Sequence, residues 1–196
     1  MSVKTYVSNK MSFLANGIRR FAFPFAYTVL ISLVSSYSII KETNTEPLTR
    51  IIMALAIGFF ASILLTLIVE RFAIKINVYL FQSISVLATV LCWFLVKNFE
   101  TDVYVAMGYF GVTFAVVAGI IFFLYNEYNK DLLAPHLLKG FVFSAAVAAI
   151  LQGGLPLCIV AFDGIILDIP EMWKYIGILG VITGVLVAVN LFLSGV

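Results

Sequence analysis

The sequence predicts an all-α fold, a polytopic transmembrane helix bundle of six spans, and three observations carry that prediction. First, 63% of the 196 residues are hydrophobic and 11% are charged, whereas soluble domains average about 45–50% apolar and about 25% charged. Second, the charges are confined: residues 21–40, 51–69, 76–96, 103–125, 140–162 and 175–196 contain no Asp, Glu, Lys, Arg or His. Third, each block matches the roughly 20 apolar residues that a helix needs to cross about 30 Å of hydrocarbon. Helices follow because backbone groups in lipid must be satisfied within their own segment. Barrel strands would alternate polar and apolar residues, whereas 51–69 is apolar on nearly every side.

The same counts exclude a soluble globular domain, a collagen, a disordered chain and a disulfide-stapled secreted module. A net charge of +2, from 12 Lys and Arg against 10 Asp and Glu, leaves no basic stripe for a nucleic acid. Cys92 and Cys158 fall inside apolar blocks, where a free thiol behaves as a small hydrophobe more than as a redox or metal group. The block 21–40 is longer than the h-region of a cleavable signal and no small-x-small site follows it, so it is expected to stay in the mature chain.

Two regions follow: residues 1–20 as a cytoplasmic N-terminal segment and 21–196 as the six-helix domain. The N-terminal segment mixes Val3, Tyr6, Val7, Met11, Phe13 and Leu14 with Lys4, Lys10, Arg19 and Arg20, a pattern open to a surface-lying helix or to an unstructured tail. The first span carries Thr28, Ser32 and Ser36; the second, Ala54, Gly58, Ser62 and Thr66. The fourth carries Gly111, Ala115 and Gly119; the fifth, Ala145, Ala149 and Gly153; the sixth, Gly180, Gly184 and Ala188. Each set recurs every four residues and shares one helical face. Lipid offers little hydrophobic drive between helices, so small residues that admit close backbone approach mark packing seams. These seams serve either to assemble one bundle or as a dimerisation face. Gln82, Ser83 and Ser85 in the third span and Asn190 in the sixth are expected to bond across interfaces, for about 1 kcal/mol each.

The fifth span contains Gln152-Gly153-Gly154-Leu155-Pro156. Pro156 lacks the N–H that the Gln152 carbonyl would accept, and the paired glycines soften the turn before it, so a kink or break is expected near the membrane centre. Such breaks hold substrates in some transporters, and they also occur for packing alone. Before this span, Asp131-Leu132-Leu133-Ala134-Pro135 suggests a short interfacial turn or helix interrupted ahead of the proline. After it, Asp168-Ile169-Pro170-Glu171 reads as a helix start.

Charge fixes the expected orientation. Lys4, Lys10, Arg19, Arg20, Arg71, Lys75, Lys130 and Lys139 flank one side of the six crossings, and Lys41, Arg50, Lys97 and Lys174 the other. The positive-inside rule then makes both termini cytoplasmic. Trp93, Trp173 and Tyr175 at the outer boundary, with Tyr125 and Tyr128 at the inner one, suit the headgroup level.

Catalytic patterns are missing. No span contains an ionisable side chain of the kind that marks proton or ion pathways. The one histidine, His136, lies in a loop, Asp163 and Asp168 read as solvated charges, and Gly153-Gly154 lacks the Lys-Ser/Thr of a phosphate loop. The expectation is therefore no enzyme, no cofactor and no metal site. What remains is a non-enzymatic membrane scaffold or partner-binding module, with the bilayer and a membrane-protein partner or second copy as its contacts. The alternative is a permease for an uncharged or lipid-like solute at Gln152, Gly153, Gly154 and Pro156. A permease requires a hydrated pocket lined by Gln152; a scaffold is close-packed there.

Phe21-Ala22-Phe23-Pro24 opening the first span, Glu70-Arg71 closing the second, and the stretch 126–190 with Asn129-Lys130, Leu132-Leu133 and its irregular fifth span resemble the uncharacterised bacterial membrane family known as domain of unknown function 4153. The similarity covers most of the chain and rests on hydropathy and loop features. It implies a multi-pass protein of the bacterial plasma membrane. Members of that family continue further, so the resemblance implies a fragment or a short member, and it transfers no functional residue.

Overall fold

The computed structural model describes residues 19–41, 46–72, 78–96, 103–127, 130–165 and 171–195. Among them the chain makes six helical passes: α1 (Ala22–Lys41), α2 (Glu46–Phe72), α3 (Val78–Leu95), α4 (Val103–Glu127), α5 (Lys130–Ile165) and α6. The last begins as an α-helix over Met172–Val181, widens to a π-helix over Ile182–Ala188 and closes as an α-helix over Val189–Gly195. Five passes are long and apolar enough to cross a membrane. The sixth, α3, has 18 residues, about 27 Å at the helical rise, and lies beside α2 along most of its length. The chain is a helical membrane protein.

Helix α2 is the hub. It packs against α1, α3 and α4, while α6 joins α1 on one side and α5 on the other. Contacts at both ends fix the helix directions, α1 and α3 antiparallel to α2 and α4 parallel to it. Arg20, ahead of α1, donates from Nε and Nη2 to the two carboxylate oxygens of Glu70 at 2.8 Å each, near the end of α2. Gly58 of α2 faces Tyr27 and Thr89, and Gly119 of α4 faces Leu64. Tyr109 near the start of α4 donates its hydroxyl to the Met53 carbonyl at 3.2 Å. One apolar cluster joins Phe21, Tyr27, Phe59, Ile63, Leu67, Leu124 and Leu193; a second, at the far end of α2, joins Ala54, Ile57, Cys92 and Val96.

The outward faces are hydrocarbon. Leu87 and Phe94 on α3, Phe110 and Phe114 on α4, and Ile150 and Leu157 on α5 are all exposed. In water so much contiguous apolar surface would be a docking or aggregation surface; in a bilayer it is the solvated one. Trp93, Trp173 and Tyr175 are exposed at helix ends, as a headgroup position requires, whereas the side chain of Tyr125 and all of Tyr128 lie outside the described residues.

The fifth pass departs from the sequence expectation. Helix α5 starts at Lys130, ten residues before the predicted 140, and contains both Pro135 and Pro156 without interruption. Neither the interruption before Pro135 nor a break at Pro156 occurs. Bilayer energetics explain this: a proline inside a continuing helix forfeits one backbone hydrogen bond, whereas an unwound turn in lipid strands several polar groups at a cost of several kcal/mol each. Instead the irregular backbone is in α6, where the π-helical stretch alters the register between Val181 and Val189. Residues 1–18 of the predicted N-terminal segment and the Asp168–Pro170 helix start lie outside the described residues; Glu171, which follows, adopts a left-handed backbone with φ of 59°, and its carbonyl accepts from the Lys174 N–H at 2.8 Å.

Candidate functional site

Polar groups buried in lipid-facing helices need partners, and among the described residues most of them collect in two places. The first lies between α1, α2 and α3. Gln82 is 2% exposed; its Oε1 accepts from Ser62 Oγ at 2.9 Å, and its Nε2 donates to Thr66 Oγ1 at 3.0 Å and to the Ser62 carbonyl at 3.3 Å. One turn along α3, Ser85 donates to the Gln82 carbonyl at 2.8 Å and meets the Tyr27 hydroxyl at 3.3 Å. Tyr27 also reaches Thr89 Oγ1, at 3.1 Å. Of the four intramembrane polar residues expected to bond across helices, Gln82 and Ser85 do so here and Asn190 does so elsewhere. Ser83 is exposed and donates to Leu80 of its own helix.

The second lies along α6. Asn190 Nδ2 donates to Thr28 Oγ1 at 2.9 Å. Thr183, in the π-helical stretch, donates to the Leu179 carbonyl at 2.8 Å, and Gln152 of α5 donates to the Gly180 carbonyl at 3.4 Å. A Cβ on Gly184 would stand 3.0 Å from the Gln152 amide nitrogen, so the small residue there admits the glutamine. Gln152 is nevertheless exposed.

The predicted seams divide. On α2, Ala54, Gly58 and Ser62 are buried, and a Cβ on Gly58 would meet the Tyr27 ring at 2.6 Å. On α4, Gly119 contacts Leu64 at 3.3 Å, whereas Gly111 has no described atom within 4 Å and Ala115 is exposed. On α6, Gly184 contacts Gln152 while Gly180 has open space at its Cβ position. Gly153 and Gly154 on α5 likewise have open space.

Sequence reasoning did not find a third feature. Helices α4 and α5 touch at few points, and between them, α2 and α6 lies a cleft of about 760 Å³, within the roughly 300–1,000 Å³ typical of small-molecule sites. Phe60 and Leu67 of α2, Leu124 of α4, Leu138 and Phe141 of α5, and Phe192 of α6 line it, and Ala188 of the α6 seam borders it. Its walls are hydrocarbon apart from Ser144, whose hydroxyl donates to the Phe141 carbonyl at 3.0 Å. None of Gln152, Gly153, Gly154 and Pro156 lines this cleft. It lies at the end of the bundle where α1 begins and α6 finishes, between Phe21 and Leu193. Arg71 sits at that end with its guanidinium 5.2 Å from the Phe123 ring and 5.7 Å from the Phe122 ring.

Among the described residues no group of three or more His, Cys, Asp or Glu is placed to hold a metal. The side chain of His136 lies outside them. Cys92 is buried and Cys158 is exposed, both as free thiols. No family model, curated protein or solved structure matches the chain.

Proposed function

We propose that the chain is a non-enzymatic scaffold or partner-binding module of the bacterial plasma membrane, with both termini in the cytoplasm, and that it belongs with the uncharacterised family it resembles. The orientation draws its support from eight Lys and Arg on the side of the termini against four on the other. The partner-binding reading rests on Gln152. This residue stands near the middle of the apolar stretch Leu138–Gly164, is exposed, and finds among the described residues only the long contact to Gly180. An amide left without full hydrogen bonding in hydrocarbon costs several kcal/mol. A helix packing over Ala149 and Gly153, both exposed and with open space at Gly153, borders Gln152 on the surface of α5 and would meet that amide.

The permease reading needs a polar pocket at Gln152. The cleft excludes that residue and is apolar, which favours the scaffold.

Leu157 supplies a probe position, because it is exposed and four residues beyond Gly153 on the same face. With Cys92 and Cys158 replaced by Ser, a benzophenone maleimide on Leu157→Cys should give a discrete protein adduct on illumination of native membranes, and Gln152→Leu should abolish it. Adducts to lipid alone would overturn the proposal.

A further inference from the structure

The cleft at the termini end has a chemistry of its own. Its walls come from four helices and it lies where α4 and α5 separate, so its approach is from the hydrocarbon beside the bundle. An acyl chain moving from the bilayer into such a cleft gains no hydrophobic free energy, because it leaves one apolar medium for another. Selectivity among lipids must therefore come from the headgroup. At this end the charges are predominantly positive: Arg19 and Arg20 directly precede Phe21, Lys139 directly follows Leu138, and Arg71 lies over Phe122 and Phe123. Phe21 and Leu138 themselves line the cleft. Glu70 compensates Arg20 through their ion pair. Over the whole chain, eight Lys and Arg face three acids, Glu70, Glu127 and Asp131, in the segments flanking this end.

We infer that the cleft between α4 and α5 is a binding site for an anionic glycerophospholipid, its acyl chain against Phe141, Leu124 and Phe192 and its phosphate within reach of Arg71 and Lys139. Apolar walls hold the chain in place, and the basic rim selects the charge. Each cation close to an anionic surface contributes about 1 kcal/mol, or roughly fivefold in affinity. The inference does not depend on the partner proposed for Gln152, which stands on another part of α5.

The test uses the full chain in vesicles, with Trp93 and Trp173 replaced by Phe and a single tryptophan introduced as Phe141→Trp. Phe141 is exposed to the cleft and outside the close-packed core, so the ring is tolerated. Brominated phosphatidylglycerol should quench this tryptophan at a mole fraction roughly fivefold or more below that of brominated phosphatidylcholine. A reference tryptophan at the opposite end of α5, Phe162→Trp, should show no such preference. Adding Arg71→Gln and Lys139→Gln should remove the preference at position 141, and purified unsubstituted chain should retain phosphatidylglycerol that the double variant loses. Equal quenching by the two lipids would mean ordinary boundary lipid and would overturn the inference. Absence of quenching by either would mean that protein covers the cleft, a second copy or another segment of this chain, and would also overturn it.

Discussion

The side-chain amide of Asn190 donates to the hydroxyl oxygen of Thr28 at 2.9 Å across 162 residues of sequence, joining the last pass to the first. Thr28, 1% exposed, hands its own proton to the Phe25 carbonyl at 2.8 Å, so its oxygen is free to accept. Both partners are thereby set by local geometry: the Thr28 hydroxyl turns back along α1 and presents a lone pair to α6. One turn further along α1, Ser32 is buried and its Oγ has no hydrogen-bond partner among the described residues.

These two neighbours should respond oppositely to truncation. Asn190→Leu and Thr28→Val should each destabilise the bundle by about 0.6 kcal/mol and by no more than about 1.7 kcal/mol, the mean and the maximum for interhelical hydrogen bonds in membranes. The double variant should cost less than the sum, because the two share one bond. Ser32→Ala removes a buried polar atom that pairs with nothing, so stability should hold or rise. Unfolding in mixed detergent micelles of increasing SDS fraction, followed by circular dichroism, measures all four. Additive losses at Asn190 and Thr28, or a loss at Ser32 as large as theirs, would contradict this account.

Gln82 tests the other polar cluster. Its amide is satisfied at both ends by Ser62 and Thr66, and it is among the largest side chains buried completely. Gln82→Ala should cost about 1–3 kcal/mol, combining lost hydrogen bonds with a void between α2 and α3. Gln82→Leu refills the void and should recover a large part of that loss, since Thr66 keeps its own bond to the Ser62 carbonyl. The same SDS titration separates the two; a leucine variant no more stable than the alanine one would show that the amide, not the volume, dominates.

How far the sequence reached is clearest at particular residues. The six apolar blocks were legible because charge is excluded from hydrocarbon, and Gln82, Ser85 and Asn190 were legible because polar atoms there need partners. A four-residue rhythm told which face of a helix is smooth. It did not tell what covers that face, so Gly58 and Gly111 read alike though one is buried and the other open. Pro156 read as a kink or a break, and the helix runs through it unbroken because a proline costs a continuous helix one bond, while the π-helical stretch 182–188 leaves no mark in residue spacing. The cleft was invisible for a related reason: it arises from two helices failing to touch, which depends on all their neighbours at once.

Gly58 and Gly111 provide a matched comparison of buried and open seams, because both sit in apolar helices and both head a small residue four positions on. At Gly58 an added methyl would enter the Tyr27 ring at 2.6 Å and collide with Thr89, the pair whose hydroxyls meet at 3.1 Å. Neither neighbour is the loose end of a flexible chain, so α1 or α3 must move away from α2 and break that bond. Gly58→Ala should therefore lose about 1–3 kcal/mol, the usual cost of overpacking. Gly111→Ala meets no described atom within 4 Å and should lose nothing to packing, gaining at most the roughly 1 kcal/mol by which alanine exceeds glycine in helix propensity. Because the two substitutions are chemically identical, any effect of glycine on intrinsic helix formation cancels between them, and the difference in their SDS midpoints reports packing alone. Equal midpoints would mean that α1, α2 and α3 do not approach as closely as the Gly58 contacts require.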